Sequence, residues 1–154
     1  MTCTWLHRGT RPQWWVILAW ACLCAGLLHG KVHAQAVSAS EAKAIRATVQ
    51  RQLDAFERDD ASAAFALASS AARQRFGSAE KFMATVKEQY RAVYRHRVAF
   101  FTAAQRIDGD IVQSVRLTDA DDRVWVALYR LEREADGQWR IVGCQLLETK
   151  SVST

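Results

Sequence analysis

Asp59-Asp60, Tyr90, Tyr94, His96 and Cys144 are the side chains of this sequence whose types could carry chemistry. A carboxylate in apolar surroundings becomes a base when its pKa is raised. Imidazole transfers protons or binds metal near neutral pH. A thiol attacks only as thiolate, and a phenol among apolar walls orients a ligand by one hydrogen bond. Asp60, Tyr90, Tyr94 and His96 are therefore the catalytic candidates. Each also has a structural role to weigh against that. Aspartate before a helix is a favoured cap; His96 sits between Arg95 and Arg97 at the start of a strand-like run; and Cys144 lies in an apolar stretch where a free cysteine fills space.

The wider inventory is poor in reaction machinery. Zinc takes three or four His, Cys or carboxylate ligands, commonly grouped by spacing, and no such set is recognisable, so neither a metal nor a cofactor is expected. There is no GxSxG elbow, no CxxC pair and no glycine-rich phosphate loop. Arg73, Arg75, Arg91, Arg95 and Arg97 form a local basic bias suited to an anionic ligand or acidic partner, with Glu80 and Glu88 nearby to balance it.

The N-terminus changes the count of what remains. Arg8 and Arg11 precede an uncharged apolar run from Trp14 to Leu28, followed by Val32-His-Ala34 and Ala34-Gln-Ala36. Basic start, short apolar core and small-x-small ending make the pattern of a secretory signal peptide over residues 1–36, cut after Ala36 or after Ala34. The run is 15 residues, against about 20 for a membrane-spanning helix. A periplasmic or secreted protein follows, with a membrane tether only if the leader is retained. Residues 37–154 then form one domain. The leader holds three basic and no acidic residues, so the formal charge falls from +5 to +2. That leaves no electrostatic footprint for nucleic acid. It also leaves Cys144 as the single cysteine and His96 as the single histidine, so no intramolecular disulfide is available.

These residues must be positioned by helices followed by strands. Ser38 and Glu41 have capping-box spacing, and Ile45, Val49, Leu53 and Phe56 recur at helical steps. Asp59 or Asp60 caps a helix over 61–68, Ser69 or Ser70 a short one closed by Gly77, and Ser78 a third running to about Tyr94. The period then changes to two. Segments 97–106, 110–117, 123–132 and 138–148 read as a four-stranded antiparallel meander with tight turns at Asp108-Gly109 and Asp136-Gly137. Strict alternation puts Val124, Val126 and Leu128 opposite Trp125, Ala127, Tyr129 and Leu131. In the last strand it sets Val142, Cys144 and Leu146 against Trp139, Ile141 and Gly143. Both faces are apolar, so one should pack the helices and the other should enclose a pocket or meet a second chain.

Gln52-Leu-Asp-Ala-Phe56, Asp59-Asp60, Ala64-Phe65, Phe76-Gly77 leading to Phe82, Tyr90-Arg-Ala-Val-Tyr94, Tyr129 and Gly137 to Cys144 resemble the bacterial family called domain of unknown function 4864. It is similar to the nuclear transport factor 2-like superfamily, which implies an α+β fold of N-terminal helices packed on a curved four-stranded antiparallel sheet. The resemblance also implies a homodimer and a pocket, and it brings no activity; the expected ligand of such a pocket is a small apolar or anionic molecule. The expected function is a non-catalytic binding or scaffold module of the cell envelope; the alternative is a small pocket enzyme or carrier.

Overall fold

The structure is a computed structural model and describes residues 36–149. The leader reading lies outside the described residues, apart from its last residue, Ala36. No helix among the described residues is long and apolar enough to cross a membrane.

Among the described residues five helices come first: α1 (Ala39–Glu57), α2 (Ala61–Ala66), α3 (Ser70–Phe76), α4 (Ala79–Gln89) and α5 (Arg91–Tyr94). Their starts are set by local chemistry. Ser38 and Glu41 close the capping box of α1, and the side chains of Asp60, Ser69 and Ser78 accept backbone N–H bonds at the starts of α2, α3 and α4. The end of α1 is a Schellman turn: the Asp59 amide donates to Phe56 O at 3.1 Å and the Asp60 amide to Ala55 O at 2.9 Å. Asp59 holds the left-handed position at φ 56°. The expected third long helix stops early, because the chain at Tyr90 leaves helical geometry at φ −123° and ψ 42° before α5 begins.

The strands are β1 (His96–Phe101), β2 (Gln105–Ile107), β3 (Asp110–Asp119), β4 (Val124–Arg133) and β5 (Trp139–Glu148). The order is β1-β3-β4-β5, all neighbours antiparallel, with β2 also pairing β3. The expectation of four strands is thus corrected to five. Segment 97–106 divides at residues 102–104, so β1 and β2 share one edge of β3. The side-chain amide of buried Gln113 donates to Thr102 O at 2.8 Å in that gap, taking over where the backbone ladder lapses.

The inner face of the sheet packs on α1, whose Ile45, Val49, Leu53 and Phe56 are buried as the helical spacing predicts. Val115, Leu117, Ala127 and Tyr129 are fully buried opposite them. Two irregularities correct the simple alternation. In β1, pairing shifts between His96 and Val98, so His96 turns inward while Arg97 points out to Asp122 at 2.5 Å. In β5, Ile141 faces Leu131 but Gly143 faces Arg130, leaving Val142 as the extra residue of a β-bulge. Ile141 and Cys144 therefore share the inner face, contrary to the expected period of two.

The edge of β5 is covered where it bulges. The Ile141 amide donates to Leu67 O at 2.9 Å, and the Ser69 amide donates to Ile141 O at 2.8 Å. The α2–α3 link thereby lies alongside β5. Glu134, at the far end of β4, accepts from the Ser70 amide at 2.6 Å and fixes the start of α3. Its pKa is lowered by that bond.

Candidate functional site

The space between helices and sheet is not completely filled. A cavity of about 120 Å³ lies where α3 and α4 pass over the bulge of β5. Its walls are mainly apolar: Phe56 from α1, Phe76 from α3, Phe82 and Val86 from α4, and Ile141 from β5. Phe82 is the hub of the aromatic wall, with ring centroids 6.0 Å from Phe56, 5.7 Å from Phe65 and 5.2 Å from Phe76.

Few polar groups reach this space. The Tyr129 side chain is fully buried, and no nitrogen or oxygen partners its hydroxyl; the Cys144 thiol, a weak partner, is the polar group beside it. A buried hydroxyl without a full partner costs about 1–3 kcal/mol, so its persistence beside a cavity needs an account. Cys144 is its direct partner across β4 and β5. The residue is partly exposed, but its thiol lies on the covered side, and burial pushes the thiol pKa up to about 12. Burial, with Cys144 alongside, also raises the Tyr129 phenol. Both groups therefore stay protonated near neutral pH, so Tyr129 serves as a neutral donor. Gln52, buried on α1, is held by its own bond to Ala64 O at 3.2 Å. Among the described residues, Arg75 at the end of α3 is the only charged one lining the cavity.

The four sequence candidates do not converge. Tyr90 lines the cavity, at the break between α4 and α5. Asp60 caps α2, accepting from the Ala63 amide at 2.9 Å. His96 is tucked under α1, its Nε2 3.3 Å from Glu57 and its Nδ1 3.3 Å from Val93 O.

Tyr94 belongs to a surface cluster centred on the other aspartate. Its hydroxyl donates to Asp59, which also meets Lys87 at 3.0 Å and Arg95 at 2.6 Å. The hydrogen bond from Tyr94, then those from Lys87 and Arg95, hold the Asp59 carboxyl far below the usual carboxylate range. Both cations also lie over the Tyr94 ring. Arg95 further donates to Phe56 O at 2.8 Å, so the cluster ties α5 to the end of α1.

Sequence reasoning thus missed Tyr129 as a polar group of the cavity, and Asp59, Lys87 and Arg95 as an ion cluster. Tyr129 was readable as one of four apolar alternates in β4 and as a residue of the family resemblance, but not as a polar group of a cavity. The cysteine carried no signal of its pairing, because the bulge that creates it has no distinctive residue beyond Gly143. Among the described residues no three His, Cys, Asp or Glu side chains gather in a way that could hold a metal.

Comparison with known proteins gives one match. The family described as Domain of unknown function (DUF4864) matches residues 38–154. No curated protein and no solved structure matches.

Proposed function

The chain belongs to the domain of unknown function 4864 family, and from that premise we propose that it is a non-catalytic binding module exported to the cell envelope. Its cargo is a small, mainly apolar molecule held between the helices and the sheet. The single observation that carries this reading is the Tyr129 hydroxyl beside an apolar cavity, buried with no nitrogen or oxygen partner and only a thiol alongside. A ligand that hydrogen-bonds to it would offset the cost of its burial. Export rests on the three-part leader at residues 1–36. The run of helices followed by an antiparallel sheet also supports placing the domain in the nuclear transport factor 2-like superfamily.

Turnover in the same cavity finds less support. Its thiol is held protonated, and neither Asp60 nor His96 lines it. Native mass spectrometry of the protein isolated from the exported compartment tests the binding reading. Reproducible extra mass, lost on denaturation and reduced in the larger-to-smaller change Phe82→Ala, is the expected result. Protein that stays at its bare mass and gains no thermal stability from small aromatic compounds would sink it.

A second reading has its own observation. The outer sheet face carries Val98, Phe100, Ile107 and Leu147 at 57, 63, 47 and 42% exposure. Phe100, Arg116, Val126 and Leu147 form one cross-strand row. Such a stripe suits a symmetric homodimer. Phe100→Glu should then shift the mass measured by light scattering from dimer to monomer without loss of helix content.

A further inference from the structure

Resting on the binding reading above, we propose that the occupant is a small carboxylic acid with a hydroxyl or carbonyl at its far end. The apolar body fills the cavity, the carboxylate meets Arg75 at the mouth, and the far polar group accepts from the Tyr129 hydroxyl.

Three observations carry this. First, among the described residues Arg75 makes no hydrogen bond or ion pair, whereas its neighbour is committed. Arg73, two residues earlier on α3, donates to Ala66 O at 3.2 Å, Ala68 O at 2.6 Å and Ser70 Oγ at 3.2 Å. Arg75 lies over the Phe76 ring at 5.3 Å, and among the described residues it forms no ion pair. A guanidinium fork matches a planar carboxylate in two parallel bonds.

Second, the charge balance selects the ligand's charge. Among the described residues, Arg75 is the sole charged one lining the cavity, and no carboxylate lines it. A cation would find no counter-charge there, and a doubly charged phosphate would carry one charge unmatched. One negative charge suits the site.

Third, the dimensions select the body. The cavity holds about 120 Å³, somewhat below the roughly 150 Å³ in which an apolar cavity takes up benzene. A single ring or a short branched chain fills it; a steroid or a long acyl chain does not. Arg75, Val142, Gly143 and Cys144 also border an open groove on the outer sheet face, so the bulge lets the anionic end remain in contact with water.

The test is a calorimetric titration of the purified protein at neutral pH with 4-hydroxybenzoate, its neutral analogue 4-hydroxybenzamide, benzoate and phenol. 4-Hydroxybenzoate should bind about tenfold more tightly than the amide, the difference expected of one charge-assisted contact. Arg75→Gln should erase that preference and Arg75→Lys should restore part of it. Benzoate should bind more weakly than 4-hydroxybenzoate, and Tyr129→Phe should abolish that gap. Equal binding of acid and amide, or an Arg75→Gln protein with unchanged preference, would overturn the carboxylate assignment while phenol binding kept the cavity reading alive. Failure of all four compounds, phenol included, would overturn both.

Discussion

Tyr129 and Cys144 face each other across β4 and β5 because Val142 is one residue too many for its strand. Without that bulge the period of two would turn the thiol to the outer face, and the phenol would lie against a glycine. The bulge thus does two things together. It brings a second polar atom to an apolar cavity, and it bends the strand at the point where α3 and α4 pass over it.

In the ligand-free protein, Tyr129→Phe should stabilise. The ring keeps its packing while a hydroxyl with no nitrogen or oxygen partner disappears, a gain of about 1 kcal/mol. Urea unfolding measures it. A loss larger than about 1 kcal/mol would mean that the hydroxyl is satisfied, and the cavity would lose its anchor. Tyr129→Ala, by contrast, should cost about 3–5 kcal/mol through the void it leaves.

Cys144 should be inert in the folded state. With its thiol pKa pushed up to about 12 by burial, the thiolate needed for attack is scarce at pH 8. A disulfide reagent such as dithiobisnitrobenzoate should react at the rate of global or local opening, and at full speed in denaturant. Immediate stoichiometric reaction of native protein would contradict this burial.

Acid should weaken the β3–β4 turn in a defined direction. Asp119 is nearly buried, and burial alone would raise its pKa. Bonds from the Trp125 indole and the Arg123 and Asp121 amides, helped by the Arg123 charge, outweigh burial and lower it below 3.8. A carboxylate depressed in the folded state contributes stability that is complete above its unfolded value and lost as pH falls through the folded one. The melting temperature should therefore drop below about pH 4. Asp119→Asn should cost about 2 kcal/mol at neutral pH and flatten that acid limb; an unchanged limb would assign it to other carboxylates.

Asp59→Gly and Asp59→Ala separate backbone from charge. Both lose the contacts to Lys87, Tyr94 and Arg95, but only glycine accepts φ 56° freely. The alanine protein should melt a few degrees below the glycine protein. Equal melting temperatures would show that the turn relaxes instead of holding its left-handed residue.

Local features of this fold were legible in the sequence, and non-local ones were not. Ser38, Asp60 and Ser78 were readable as caps because a cap involves only three or four neighbouring residues. Asp108-Gly109 was readable as a tight turn for the same reason, and both residues have positive φ. The core stripe of α1 followed from its period. The bulge at Val142, the division of the first strand and the pairing of Asp59 with Lys87 and Arg95 depend on register or on contacts across about thirty residues of chain. Nothing in a stretch such as Ile141-Val-Gly-Cys144 states which of its residues its neighbour strand will skip. The candidate site inherits that limit, since Tyr90 was named in advance whereas Tyr129 needed its hydroxyl, with only a thiol alongside, to be seen.

The gap between β1 and β2 has a consequence for how copies of this protein coexist. A sheet border offers unpaired amides and carbonyls to any extended chain that drifts against it. Here that border is cut into lengths of six and three residues, and Gln113 turns its side-chain amide to the carbonyl at the cut. An incoming strand would lose its register at Thr102 and find no straight template beyond. The interruption acts as a guard against fibrillar stacking, on the side of the sheet where Phe100 and Val98 would otherwise make such stacking adhesive.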